Sequence, residues 1–139
     1  MKRLGLGDVV RFVRGIDDAG VARNYAEAEV AVVPSLYEGF SIPALQAMAC
    51  GVALVTTTAG ALPEVAGRDG ETVLLVPPGD AGALAGAIGR LLDDAPLRDR
   101  LSRAALTRAQ DRFSWEATAR ATAAVYREVV AERLPSRHG

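Results

Sequence analysis

The chain has 139 residues, half of them hydrophobic and only 5% aromatic, with 16 basic against 17 acidic side chains and a formal net charge of −1. That length supports one domain with a real core, and the near-neutral balance gives no electrostatic argument for binding nucleic acid or an anionic membrane. Cys50 is the sole cysteine and His138 the sole histidine, which excludes an intrachain disulfide, a cysteine metal cage and a histidine-centred triad.

The start, Met1 to Asp8, is basic, but Asp8 and Arg11 interrupt its apolar run, so it is not a signal peptide. Val9-Val10-Arg11-Phe12-Val13 predicts a short strand ending near Gly15. Asp17-Asp18 is a helix-start signal, and the helix after it carries Val21, Ala22, Tyr25 and Ala28 on one face. Val30 to Val33 is a continuous apolar run stopped by Pro34, which suits a parallel strand covered on both faces. A helix follows from about Ile42 to Cys50, with Ser41 as its N-cap and Gly51 as its stop; Cys50 reads as a buried structural thiol.

Val52 to Thr56 reads as another buried strand. Gly60 opens a turn, Pro63 starts a short helix, and Gly67 to Gly70 ends it. Thr72 to Val76 is a fourth strand, closed by Pro77-Pro78-Gly79. Asp80 caps a helix whose stripe is Leu84, Ile88, Leu91 and Leu92, and Asp94 with Pro96 restarts one carrying Leu97, Leu101 and Ala105. Ser114 caps the last helix, with Trp115, Ala119, Thr122, Tyr126 and Val129 on one face and Trp115 expected in the core. The tail from Pro135 reads as disordered.

Residues 39 to 63 contain no charge, yet Pro43, Gln46, Gly51, Gly60 and Pro63 punctuate them. A buried helix and strand explain that run better than a membrane span, and the protein is expected to be soluble and cytoplasmic. Alternating strands and helices define an α/β fold: a partial Rossmann-like parallel sheet of about four strands with flanking helices and a C-terminal helical extension. In such sheets ligands sit at the carboxyl ends of the strands, which selects the loops 34–41, 56–62 and 14–18.

The first of these loops carries Glu38 on a glycine turn before a helix, and Gln46 eight positions on, among apolar or small neighbours. A carboxylate there caps the helix or meets a ligand. The N–H groups of Gly39, Phe40 and Ser41 open the helix, where the dipole favours negative or hydroxyl-rich groups. Thr56 to Thr58 are either strand-end β-formers or phosphate-facing residues, and Glu64 complements a helix dipole or has a functional role.

Glu38, then Gly-Phe-Ser-Ile-Pro-Ala-Leu, then Gln46 resembles the "E, seven residues, E" motif of retaining GT-B glycosyltransferases of family 4. The blocks Asp8 to Val13, Tyr25 to Ala28, Val33-Pro34-Ser35, Ala47 to Gly51, Gly60 to Glu64, Leu75 to Asp80 and Phe113-Ser114-Trp115 follow that family's order, so the likeness runs from about residue 4 to 132. The resemblance implies that residues 1–134 are an incomplete C-terminal nucleotide-sugar-binding domain, a fragment of a two-domain enzyme that transfers a hexose from a nucleotide diphosphate sugar to an acceptor hydroxyl without a metal or other cofactor. It implies a catalytic Glu38 beside the donor sugar, backbone amides of Gly39, Phe40 and Ser41 lining the sugar and distal phosphate, Gln46 at the ribose hydroxyls, and Arg14 in the nucleotide-base loop.

Two departures stand out. Gln46 occupies a position where the family has a second Glu; an amide offers one acceptor oxygen and a donor in place of a carboxylate. The family's opening strands, with the Arg and Lys that clamp the diphosphate, have no counterpart here. The chain is therefore expected to be inactive alone, with an open sheet edge that invites a partner chain or self-association. The alternatives are a non-catalytic nucleotide-binding or partner-binding module, and a GT-B-like epimerase or phosphorylase.

Overall fold

The computed structural model describes residues 4–133. The tail from Pro135 and His138 lie outside them. The chain runs α1 (Asp18–Glu27), β1 (Val30–Val33), α2 (Ile42–Ala49), β2 (Ala53–Thr57), α3 (Leu62–Ala66), β3 (Leu74–Val76), α4 (Ala81–Asp93), α5 (Ala95–Phe113) and α6 (Trp115–Arg133). The strands form a parallel sheet in the order β1-β2-β3, with Val33 opposite Thr56 and Thr57 opposite Val76.

Local chemistry sets the helix starts. Asp17, Asp80 and Asp94 each accept a backbone N–H three residues on, at 2.8, 2.8 and 2.9 Å, which satisfies an otherwise orphan donor of the first turn. Gly51, at φ 70°, follows α2 and turns the chain back into β2.

Every residue of β2 is buried, and alternation divides it between two apolar clusters. Leu54 joins Ala44, Ala47 and Met48 of α2 and Leu62 of α3 on one face. Ala53 and Val55 join Leu91 of α4 on the other. Helix α5 links the two, giving Leu97 and Leu101 to the second cluster and Ala105 and Ala109 to the first. Ala44 and Ala47 are wholly buried, so α2 approaches the sheet closely. That contact fixes the α2 N-terminus against the strand ends.

Three expectations are corrected. The sheet has three strands, because Val9–Val13 forms no ladder: Val9 and Phe12 are 77% and 73% exposed. A strand exists only through a paired neighbour, and the outer edge of β1 pairs with nothing among the described residues. Trp115 is 86% exposed, not core, because the helical spacing marks an apolar face of α6 and no described element covers it. Tyr126 and Val130 on the same helix are also exposed. Cys50 is a free thiol at the α2 C-cap and only partly buried. The remaining elements lie within a residue or two of the spacing-based boundaries.

Candidate functional site

The carboxyl ends of the strands meet at the loop between β1 and α2. Hydroxyls at the end of β2 hold the chain as it leaves β1: Thr56 donates to the Val33 carbonyl at 2.8 Å, and Thr57 to the Ser35 carbonyl at 2.6 Å. Both threonines are buried. Their hydroxyl protons are committed to backbone carbonyls, which answers the open reading of this run for these two positions.

The loop then presents Glu38. Its carboxylate is half-buried and accepts the Ser35 hydroxyl at 2.9 Å. Its carbonyl accepts the Ala61 N–H at 3.0 Å. Gly39 is exposed, with nothing within 4 Å of where a side chain would stand. Phe40 packs edge-to-face on Phe113, ring centroids 5.8 Å apart at 72°, so the end of α5 braces the turn.

Ser41 is 4% exposed and sits in the left-handed region at φ 70°, ψ 79°, the one non-glycine with positive φ among the described residues. Its hydroxyl accepts the Ala44 N–H at 3.4 Å, so it caps α2 as expected. A left-handed serine costs about 1–2 kcal/mol, and such strain persists only where the surroundings over-determine it. The N–H groups of Gly39, Phe40 and Ser41 find no acceptor among the described residues, and they stand at the positive end of the α2 dipole. A half-buried carboxylate and free backbone donors side by side suit a polyol that carries an anionic group.

Gln46 lies on the second turn of α2 and is exposed. Arg14 lines an open cleft of about 770 Å³ with Arg11, Asp17, Arg23 and Asn24. A smaller hollow of about 150 Å³ opens where the strands end, between Pro34, Leu36, Thr57, Val76 and Asp80.

Sequence reasoning missed the roles of Ser35 and Gly60. The Ser-x-x-Glu spacing of the first was a usable signal. The second is visible only in three dimensions, where Gly60, at φ 54°, lies against the Glu38 backbone. Two neighbouring supports complete the site's frame. The Tyr25 hydroxyl donates to the Pro43 carbonyl at 3.3 Å, tying α1 to the start of α2; burial, and then nearby Cys50, raise this phenol above its usual 10.0. Arg108 donates to the Glu64 and Val65 carbonyls of α3; burial, and then Arg112, lower its pKa from the usual guanidinium value.

The Glu38 carboxylate stands on a helix-opening turn at the carboxyl end of β1, and α/β sheets in general bind their ligands outside that end of the strands. Residues 1–94 match the family described as Glycosyl transferases group 1, and the chain belongs to that family. A mannosyltransferase from Mycolicibacterium hassiacum, the MMP alpha-(1->4)-mannosyltransferase, is 48% identical over 128 residues, 92% of this chain and 31% of that protein. The sucrose-phosphate synthase of Thermosynechococcus elongatus superposes with a TM-score of 0.84 at 42% identity, covering 94% of this chain and 33% of that one. Anabaena HepE, solved in complex with UDP-glucose, gives 0.76 at 27% identity, covering 81% of this chain and 30% of that one. The chain thus spans about a third of the length of these proteins, and it corresponds to the C-terminal part of a GT-B glycosyltransferase. No helix among the described residues is long and apolar enough to cross a membrane.

Proposed function

We propose that this chain is the nucleotide-sugar-binding part of a retaining glycosyltransferase, which moves a hexosyl group from a nucleoside diphosphate to an acceptor hydroxyl. The observation that carries the reading is the half-buried Glu38 carboxylate beside the unpartnered N–H groups of Gly39, Phe40 and Ser41. Residues 1–134 act as the C-terminal domain, and the enzyme works in the cytoplasm.

In this reading Glu38 accepts hydrogen bonds from donor-sugar hydroxyls close to the reacting carbon. The bond from that carbon to the diphosphate oxygen breaks, a bond to the acceptor oxygen forms, and the acceptor's proton leaves with the diphosphate. Negative charge gathers on the diphosphate, where the amides of Gly39 to Ser41 and the α2 dipole are already oriented. Gln46 faces the ribose through one amide oxygen, and Arg14 belongs to the loop that meets the base.

The described residues put no arginine or lysine on the Glu38–Ser41 turn, and leaving-group charge is what a transferase must stabilise. We therefore expect these 139 residues alone to bind a nucleotide sugar weakly and not to turn it over. Calorimetric titration with UDP-glucose tests the reading: measurable binding that Glu38→Ala weakens by about tenfold supports it, the scale of one lost charge-assisted contact. Binding unchanged in Glu38→Ala overturns it.

A further inference from the structure

We infer that Ser35 and Thr57 are positioning residues that aim the Glu38 carboxylate, an inference that rests on the donor-sugar reading of Glu38. The bonds run in one direction. Thr57 belongs to β2, the central strand, and is 2% exposed. Its hydroxyl donates to the Ser35 carbonyl at 2.6 Å, and the Ser35 hydroxyl donates to Glu38 Oε1 at 2.9 Å.

The consequence is geometric. A glutamate side chain has three torsions and, left in a loop, samples many rotamers. Here one carboxylate oxygen is held by a donor three residues earlier, and the backbone carrying that donor is pinned to the rigid centre of the sheet. Glu38 Oε2 has no protein partner among the described residues, so it is free to accept a ligand hydroxyl. The Thr57 hydroxyl is also committed on its acceptor side, receiving the Ala59 N–H at 3.4 Å. It cannot swing away without leaving that N–H unpaired. A site carboxylate gains from such a supporting shell because the orientation cost is met before the ligand arrives.

The test separates this role from a merely structural one by comparing two ligands. Glu38 meets the sugar and not the nucleotide, so the ratio of affinities for UDP-glucose and UDP isolates its contribution. Calorimetry or amide chemical-shift titration of the full chain reads both. Ser35→Ala should lower that ratio about fivefold while leaving the UDP affinity in place, with Ser35→Thr restoring the ratio, and Thr57→Val should lower it in the same direction. A uniform loss for both ligands, or a wild-type ratio in Ser35→Ala, overturns the positioning role. Glu38→Ala distinguishes the two levels: if it collapses the ratio while Ser35→Ala does not, the donor reading stands and the positioning inference falls. If neither Glu38→Ala nor Ser35→Ala moves the ratio, or neither ligand binds, the donor reading falls and takes the inference with it.

Discussion

Gly60 lies against the backbone of Glu38: a Cβ built at residue 60 would overlap the Glu38 carbonyl oxygen and stand 3.2 Å from its nitrogen. The next residue's N–H, that of Ala61, donates to the same carbonyl at 3.0 Å. The turn between β2 and α3 therefore clasps the peptide that carries the candidate site's carboxylate, and only glycine leaves room for it.

Gly60→Ala should accordingly be costly. Its φ of 54° disfavours any side chain, and the new methyl group meets backbone that cannot give way. Loss of stability on the order of 3 kcal/mol is expected by denaturant unfolding, together with weaker nucleotide-sugar binding. A loss below about 1 kcal/mol would mean that the turn adapts and does not fix Glu38.

Ser41 offers the opposite test. Glycine at this position relieves a left-handed conformation worth about 1–2 kcal/mol and gives up only a few tenths as an N-cap. Ser41→Gly should melt above the parent and Ser41→Ala below it, since alanine keeps the strain and loses the bond to Ala44. A Ser41→Gly variant that melts lower would show that the serine conformation carries no net strain.

Gln46→Glu replaces an amide on the exposed side of α2 with a carboxylate that offers two acceptor oxygens. If the residue faces a ribose diol, nucleotide affinity should tighten by roughly 1–3 kcal/mol. Unchanged UDP binding would remove Gln46 from the site.

Tyr25 makes stability depend on alkaline pH. Its folded pKa lies above the ordinary 10.0, so the folded state holds the phenol proton more tightly than the unfolded chain. The stabilisation is complete below pH 10.0 and is lost as pH rises from there through the folded pKa. Tyr25→Phe should flatten this decline in unfolding midpoint; an identical decline in both proteins would assign it elsewhere.

Much of the fold was legible in the sequence because it is locally encoded. Apolar runs bounded by Pro34, Gly51 and the Pro77-Pro78-Gly79 cluster marked the strands, and Asp17, Ser41, Asp80 and Asp94 marked helix starts that the side-chain bonds bear out. Val9–Val13 and Trp115 were misread for a shared reason: β-propensity and helical spacing say which residues want burial, not whether another element is there to bury them. At the candidate site, the Glu38 turn was visible as a motif. The Ser35 bond to Glu38 is local, three residues apart, whereas the hydroxyl bond from Thr57 to Ser35 and the approach of Gly60 arise from strand register and close packing between segments distant in sequence.

The most direct test of the central claim is an amide-resolved NMR titration of the chain with UDP-glucose. The account predicts saturable shifts of the Gly39, Phe40 and Ser41 resonances, greatly reduced in Glu38→Ala. Shifts confined to other parts of the chain, or an unaltered response in Glu38→Ala, would contradict it.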